Sequence, residues 1–360
     1  MNKIFLLSLF IIAFNFGYSQ NTEDEVRYAD SIAKINQSSR TTQESQESYN
    51  AGIEKYKQKL YKEAVVLFDK AISLDKTFTE AYYNKALSQV ALKDYNSAYK
   101  TYSDIISLSD GNIKAYTLRA EVSTNAGKYD DATEDYMELI MKEPNNSENY
   151  YLLGGVKFLQ GKYQESIDML TKAINIKPNH VKAYNDRGSA KRKIEDYAGA
   201  IQDYNKAITI DASLAYVYNN LGGVKKKMND LVGALEAYHN AVKIKPDYYI
   251  AINNRGSVYM EQNNIDRAIE DFTKAITVNP NYTLAYNNRG IAYHKQKKYQ
   301  EATKDYSKAI SINSKYAIAY LNRAITKEML RDGEGACSDY QKASELGLEV
   351  GKKYYTLECN

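Results

Sequence analysis

Proline, tryptophan, cysteine and histidine are scarce in this chain of 360 residues, which has four prolines, no tryptophan, two cysteines and three histidines. The three histidines, His180, His239 and His294, lie far apart. None has a cysteine or a paired carboxylate at metal-ligand or catalytic-triad spacing, which argues against a zinc site or a nucleophile–histidine–acid machine. A strong charge of one sign is also missing. With 48 basic and 45 acidic residues, nothing about the whole chain points to nucleic acid or an anionic membrane as partner. Apolar residues make up 44% of the sequence, enough to build a core and too much for a disordered polymer.

Long hydrophobic runs are absent except at the start. Asn2 and Lys3 precede an eleven-residue run, Ile4 to Phe14, broken by one serine, and Gly17 and Ser19 place small residues before Gln20. This order of basic, apolar and small-residue regions is that of a secretory signal peptide over residues 1–19. The run is too short for a membrane span, which needs about twenty apolar residues. The expected location is outside the cytoplasm: periplasmic, at the cell surface or secreted.

What is present is a repeat. Pro144, Pro178, Pro246 and Pro280 share one lattice with a period of 34, interrupted by Ala212. Ala64, Ala98, Ala132, Ala200, Ala234, Ala268, Ala302 and Ala336 fall on the same period, with Ser166 in the remaining register. Four residues after each comes a ring or a leucine, from Phe68 and Tyr102 to Tyr306 and Tyr340. Numbered 1 to 34 from Ser45, small–large–small at positions 20, 24 and 27 shares one face of a helix, B. A preceding helix, A, carries an aromatic at position 4 and glycine or alanine at position 8, where a small residue lets the two helices approach. Gly127, Gly161, Asp94, Asp196 and Asp230, at positions 15 and 16, are read as the turn between A and B, and proline at 32 as the stop after B.

These residues, and the segment YNNRGIAYHKQKKYQEATKDYSKAISINS from Tyr286 to Ser314, resemble the tetratricopeptide repeat (TPR), in proteins of the kind bacteria export. The resemblance implies an all-α, right-handed superhelical solenoid of nine helix-turn-helix repeats over 45–346: 45–78, 79–112, 113–146, 147–180, 181–214, 215–248, 249–282, 283–316 and 317–346. Repeat 1 departs most, with Ser48 at position 4 and Lys76 in place of proline. Residues 20–44 read as a flexible polar leader, with at most a short helix from Val26 to Ile35. Residues 347–360 read as a C-terminal cap, Val350, Tyr354 and Leu357 facing the last B helix. That hairpin would bring Cys337 and Cys359 together. A disulfide is expected in an oxidising compartment, against two reactive thiols or half a metal site.

Comparing the repeats with one another exposes a covariation. Arginine at position 7 (Arg119, Arg187, Arg255, Arg289, Arg323) occurs in the same five repeats as aspartate at position 23 (Asp135, Asp203, Asp271, Asp305, Asp339). The other four carry Ala51/Leu67, Lys85/Thr101, Leu153/Met169 and Leu221/Ala237. An ion pair between helices A and B follows, replaced by neutral contacts elsewhere.

The glycines belong to the lattice, so pairs such as Gly222-Gly223 are not phosphate loops. No catalytic residues, cofactor or metal are expected. The TPR resemblance implies a groove formed by positions 2, 5, 6, 9, 12 and 13 of successive A helices. In repeats 1 to 4 these positions form an aromatic wall, with Tyr49, Tyr56, Tyr83, Tyr151 and Phe158. From repeat 5 they become amide-rich and basic, with Asn185, Asn219, Asn220, Asn253, Asn254, Asn287, Asn288, Arg192, Lys193, Lys226 and Lys227. Amides suit an extended peptide backbone and the cations suit carboxylates. The lysine and arginine pattern of chaperone-binding carboxylate clamps is not reproduced. The expected function is a scaffold or adaptor for a protein or peptide partner, with an acidic partner among the candidates. The alternatives are an anionic-glycan or cell-wall binding module, or a self-assembling structural protein.

Overall fold

Every repeat resolves into the two helices that its periodicity demands. The computed structural model describes residues 21–109 and 111–359, so the expected signal peptide lies outside the described residues. The helices are α1 (Asn21–Lys57), α2 (Tyr61–Leu74), α3 (Thr79–Ala91), α4 (Tyr95–Leu108), α5 (Ile113–Asn125), α6 (Tyr129–Lys142), α7 (Ser147–Leu159), α8 (Tyr163–Ile176), α9 (Val181–Lys193) and α10 (Tyr197–Ile210). They continue as α11 (Ala215–Lys227), α12 (Leu231–Ile244), α13 (Tyr249–Glu261), α14 (Ile265–Val278), α15 (Thr283–Lys295), α16 (Tyr299–Ile312), α17 (Ala317–Met329), α18 (Gly333–Glu345) and α19 (Glu349–Glu358). The described residues hold no strand. Odd-numbered helices up to α17 are the A helices and even-numbered ones the B helices. The chain divides into two compact units, residues 1–135 and 136–360, the division falling within α6.

Within each unit the hairpins close on position 8. A Cβ added to Gly52 in the first unit would lie 2.6 Å from the Phe68 ring. In the second unit the same test at Gly154, Gly222, Gly256 and Gly290 meets Leu170, Tyr238, Phe272 and Tyr306 at 2.6–2.8 Å. Those distances are below any real carbon contact, so the glycines are the space into which the position-24 side chains pack. All nine position-24 side chains are 0–2% exposed.

The A-to-B turn is uniform and its chemistry is divided between two residues. Position 15 has φ between 58° and 76° in all nine repeats, yet only Gly127 and Gly161 are glycine there. The others are Lys59, Lys93, Glu195, Asn229, Asn263, Lys297 and Arg331. Each is the left-handed residue of a Schellman ending, closed for example by Asp94 N–H to the Gln89 carbonyl at 2.9 Å. Position 16 is instead the N-cap of helix B: Asp94, Asp196 and Asp230 accept from the backbone N–H of Ser97, Gly199 and Gly233. Glycine at 15 and aspartate at 16 therefore have separate roles, one closing helix A and the other opening helix B, rather than sharing one turn function.

The ends of the chain differ from expectation. The segment read as a polar leader, 20–44, is helical from Asn21 and continuous with helix A of repeat 1, far beyond a Val26–Ile35 helix. It has no proline or glycine to stop it, and Arg40–Glu44, Gln43–Glu47 and Gln46–Asn50 bonds run along it at i, i+4. Residues 28–40 are exposed throughout; the packed part begins near Ser45, whose hydroxyl donates to the Ala71 carbonyl at 2.9 Å.

At the other end α19 folds back on α18 as expected, but through a different face. Gly351 is buried against Ala343, and Tyr354 stacks on Tyr340 with ring centroids 5.3 Å apart. Val350 and Leu357, expected to face inward, are 48% and 65% exposed. Close approach at the glycine rotates the helix so that 351 and 354, not 350 and 357, meet α18. Cys337 and Cys359 are joined, with Cα atoms 5.6 Å apart, inside the range a disulfide spans.

All five arginine–aspartate pairs form, with closest N–O distances of 2.6–2.7 Å. The arginines are 14–18% exposed and the aspartates 3–8%. Each guanidinium binds its carboxylate in a fork, as Arg187 does through Nε and Nη2. In four of them Nη1 also donates to a hydroxyl on the B helix of the preceding repeat: Ser103, Thr171, Thr273 or Ser307. The arginine thus ties three helices together. Lys85 bonds only to that preceding helix, at Asp69, 2.7 Å away. Where position 7 is Leu221, it and Ala237 are simply buried.

The preceding B helix carries His239 at the register position of those hydroxyls, and the hydrogen bonds of Arg255 run to Asp271, so this repeat isolates the pair. Asp271→Asn and Arg255→Leu are each expected to cost about 3–5 kcal/mol, and the double variant much less than their sum. Additive losses in chemical denaturation would show that the two side chains do not act together.

Candidate ligand groove

The A helices present positions 5, 6, 9, 12 and 13 on one face, and in both units positions 5 and 6 are occupied with one another. In the second unit the Nδ2 of Asn220, Asn254, Asn288 and Asn322 donates to the Oδ1 of Asn185, Asn219, Asn253 and Asn287, each at 3.0 Å. Every bond joins position 6 of one repeat to position 5 of the repeat before. Asn185, Asn253 and Asn287 are accordingly buried. The amides expected to read a peptide are first of all the fastening between repeats. What remains for a ligand is the second N–H and the carbonyl oxygen of each half-buried position-6 amide.

The aromatic residues are fastened the same way. In the first unit Tyr49 accepts at its hydroxyl from Asn84 Nδ2 at 3.0 Å and packs on Phe78. Tyr83 donates to Asn112 at 2.9 Å, and Tyr56 meets Tyr61 edge-on. Tyr151 and Phe158 belong to the second unit, where Phe158 meets Tyr163 edge-on and Tyr151 donates to Asp186 at 3.0 Å. The expected wall is therefore two sets of half-buried rings, one in each unit, each set serving the packing of its own repeats.

Asp186 is the exception at position 6, an acid where the following repeats carry asparagine. Its oxygens accept from Tyr151 and from Asn185 Nδ2 at 2.8 Å. Burial pushes its carboxyl above the usual range, and the two donors only partly offset this. Nearby His180 caps α9 by accepting from the Ala183 N–H, and burial lowers its pKa.

The basic residues at 12 and 13 have a plain local cause as well: Arg192 and Lys193 end α9, and Lys226 and Lys227 end α11, where cations offset the carbonyl end of a helix. Lys226 pairs with Glu261 at 2.9 Å. Lys193 lies over the Tyr163 ring and Lys227 is exposed. Lys226 and Asn288 do share an open concavity of about 310 Å³ with Ser257, Met260, Glu261, Phe272, Ile291 and Lys295. Its rim is thus positions 6, 9, 12 and 13, with the position-24 ring in its lining.

Two glycines on this face depart from the expectation that the glycines all belong to the packing lattice. Gly155 and Gly223, at position 9, directly follow the packing glycines Gly154 and Gly222. A Cβ at Gly155 would meet nothing within 4 Å, and one at Gly223 only the Tyr238 hydroxyl at 3.7 Å and Arg192 Nη1 at 3.9 Å. Packing does not require either, although glycine inside a helix costs roughly 0.5–1 kcal/mol relative to alanine. The structure gives no reason for Gly155. Among the described residues no group of three or more His, Cys, Asp or Glu could hold a metal ion, and no helix is long and apolar enough to cross a membrane.

Consecutive helix hairpins of fixed length, closed by small-on-large packing and fastened at positions 5 and 6, define a helical-repeat interaction scaffold. The chain is a tetratricopeptide-repeat protein. The Tetratricopeptide repeat family profiles match residues 283–316 and 147–180, and the TPR repeat profile 188–229 and 256–297. A profile described as anaphase-promoting complex, cyclosome, subunit 3 matches residues 57–136. No curated protein matches the chain. Among solved structures, a tetratricopeptide repeat protein from Parabacteroides merdae is similar at 22% identity, with 69% of this chain and 99% of that one covered and a TM-score of 0.55. The pilF protein of Pseudomonas aeruginosa is similar at 20% identity over 59% of this chain and 97% of that one, TM-score 0.53. A chain of the APC/C hetero-tetramer Cut9–Hcn1 is similar at 15% identity over 83% of this chain and 59% of that one, TM-score 0.56. At these identities the likeness is one of fold.

Asp186→Asn should restore the amide pattern, since Asn84 shows that an amide at this position can donate to a tyrosine hydroxyl. A carboxyl pKa raised by folding makes the ionised group a liability above its unfolded pKa. The variant is therefore expected to gain stability over the wild type as pH rises from about 4 to 8, read as the difference in melting temperature. A difference that stays flat or reverses would show that burial does not strain this carboxylate.

Proposed function

We propose that the protein is a non-catalytic adaptor that holds an extended segment of a protein partner along the A-helix face of its second unit. The observation that carries this reading is the open concavity lined by Lys226, Ser257, Met260, Asn288, Ile291 and Lys295. It combines apolar contact area, amide groups and cations on successive A helices, the mixture an extended peptide needs. The bonds between positions 5 and 6 hold that wall in place before a ligand arrives, so little ordering accompanies binding. A photo-crosslinking residue at Ile291 is expected to capture a protein partner, whereas one at Val232, exposed on the B-helix side, is not. Equal capture at both sites, or capture only at Val232, would contradict the groove.

An exported location belongs to the same reading. It is supported by the Cys337–Cys359 disulfide closing the last hairpin, since such bonds persist in oxidising compartments, and by the signal-peptide pattern of residues 1–19. Protein recovered outside the cytoplasm is expected to begin at Gln20 and to titrate no free thiol until reduced. A chain that retains residues 1–19, or that shows both thiols free, would contradict it.

A further inference from the structure

We infer that Arg192 and Lys227 form a subsite for the side-chain carboxylate of an acidic residue in a peptide crossing Gly223; this rests on the groove reading above. The inference comes from comparing one repeat with the next. Thirty-four residues on from Arg192 and Lys227 lie Lys226 and Glu261, and these two pair at 2.9 Å. The repeat register therefore sets Arg192 and Lys227 at the two ends of an equivalent contact, with a cation in the place of the acid. No carboxylate pairs with Arg192 among the described residues, although its side chain is half-buried. Two cations arranged where an ion pair belongs are complementary to one anion placed between them.

The floor of the same spot is bare. Gly223 lies one turn before Lys227 on α11, with the Tyr238 hydroxyl and Arg192 Nη1 both within 4 Å of where its Cβ would be. Burial pushes the Tyr238 phenol up to about 12, with Arg192 pulling against it, so the hydroxyl stays protonated and can donate. Guanidinium and phenol thus meet over a backbone with no side chain in the way, with Lys227 one turn further along the same helix, which suits a carboxylate held close to the helix. The partly exposed position-6 amides Asn220 and Asn254 continue the face on either side. A chain therefore passes through the spot rather than ending there, and the carboxylate is a side chain's, not a terminus.

The test uses the full chain and fluorescent octapeptides blocked at both ends, four Ala-Glu repeats against four Ala-Gln repeats, read by anisotropy. The acidic peptide is expected to bind about tenfold tighter at moderate salt. Arg192→Gln, which relieves rather than creates repulsion, should remove most of that preference, while Lys274→Gln, at an exposed site on a B helix, changes it less than about twofold. Gly223→Ala should raise the melting temperature by about 2–4 °C and yet weaken the acidic peptide about fivefold; a stabilised variant that binds as before overturns the subsite. So does loss of preference in Lys274→Gln equal to that in Arg192→Gln, or Arg192-dependent binding of an Ala-Gln peptide with a free C-terminus. Equal binding of both blocked peptides with crosslinking at Ile291 intact sinks the subsite and spares the groove. Failure of crosslinking at Ile291 sinks both.

Discussion

The distance between the two helices of a hairpin is set by one contact, a small residue at position 8 against a ring or leucine at position 24. Everything else in each repeat takes its geometry from it. With the glycine in place the large side chain packs against backbone and is wholly buried; with a larger residue the pair would have to separate or the ring leave its rotamer. The contact is also what makes the repeat length strict. Helix A must present position 8, turn, and return position 24 opposite it, and an insertion in between would carry every later side chain off its face.

Given that spacing, polar chemistry can be placed between helices without error. The arginine at position 7 reaches its aspartate in a two-point fork because the helices it joins are held at constant separation. Burial disfavours both charges, and the fork compensates for it. The same regularity brings position 6 of one repeat to position 5 of the one before, so that asparagine, tyrosine or aspartate can close the gap. The result is a wall whose groups are already oriented. The binding surface proposed for this wall rests on rigid elements rather than on loops, and its proposed specificity lies in the few positions where the pattern is broken, such as Asp186 and the Arg192/Lys227 pair.

The lattice, the two helices per repeat and the arginine–aspartate pairing were legible in the sequence because each repeats at a fixed interval, and nine registers average out local noise. Features that depend on rotation between neighbouring elements were not legible. The asparagines at positions 5 and 6 read as a free amide ladder; only the placement of one A helix beside the next shows that half of each is used. Val350 and Leu357 fit an inward helical stripe, but Gly351 permits a closer approach that turns them out. Seven side chains with positive φ at position 15 leave only a weak compositional trace, the glycines and asparagines there, since the Schellman closure holds lysine, glutamate and arginine in that conformation although it costs them more than glycine. The extension of α1 to Asn21 was hidden because nothing polar stops a helix unless it caps or breaks it, and residues 21–44 do neither.

The two neighbouring glycines of α7 measure the governing contact directly. A Cβ on Gly154 would lie 2.7 Å from Leu170, and one on Gly155, one residue on, would meet open space. Leucine already occupies position 9 at Leu87, whereas position 8 holds only glycine or alanine. Thermal unfolding of Gly154→Leu and Gly155→Leu in the full chain should separate sharply. The first should lose about 1–3 kcal/mol or more through overpacking, and the second should hold or gain stability through better helix propensity. Equal losses in the two variants, or a tolerated leucine at 154, would contradict the claim that this contact sets the repeat.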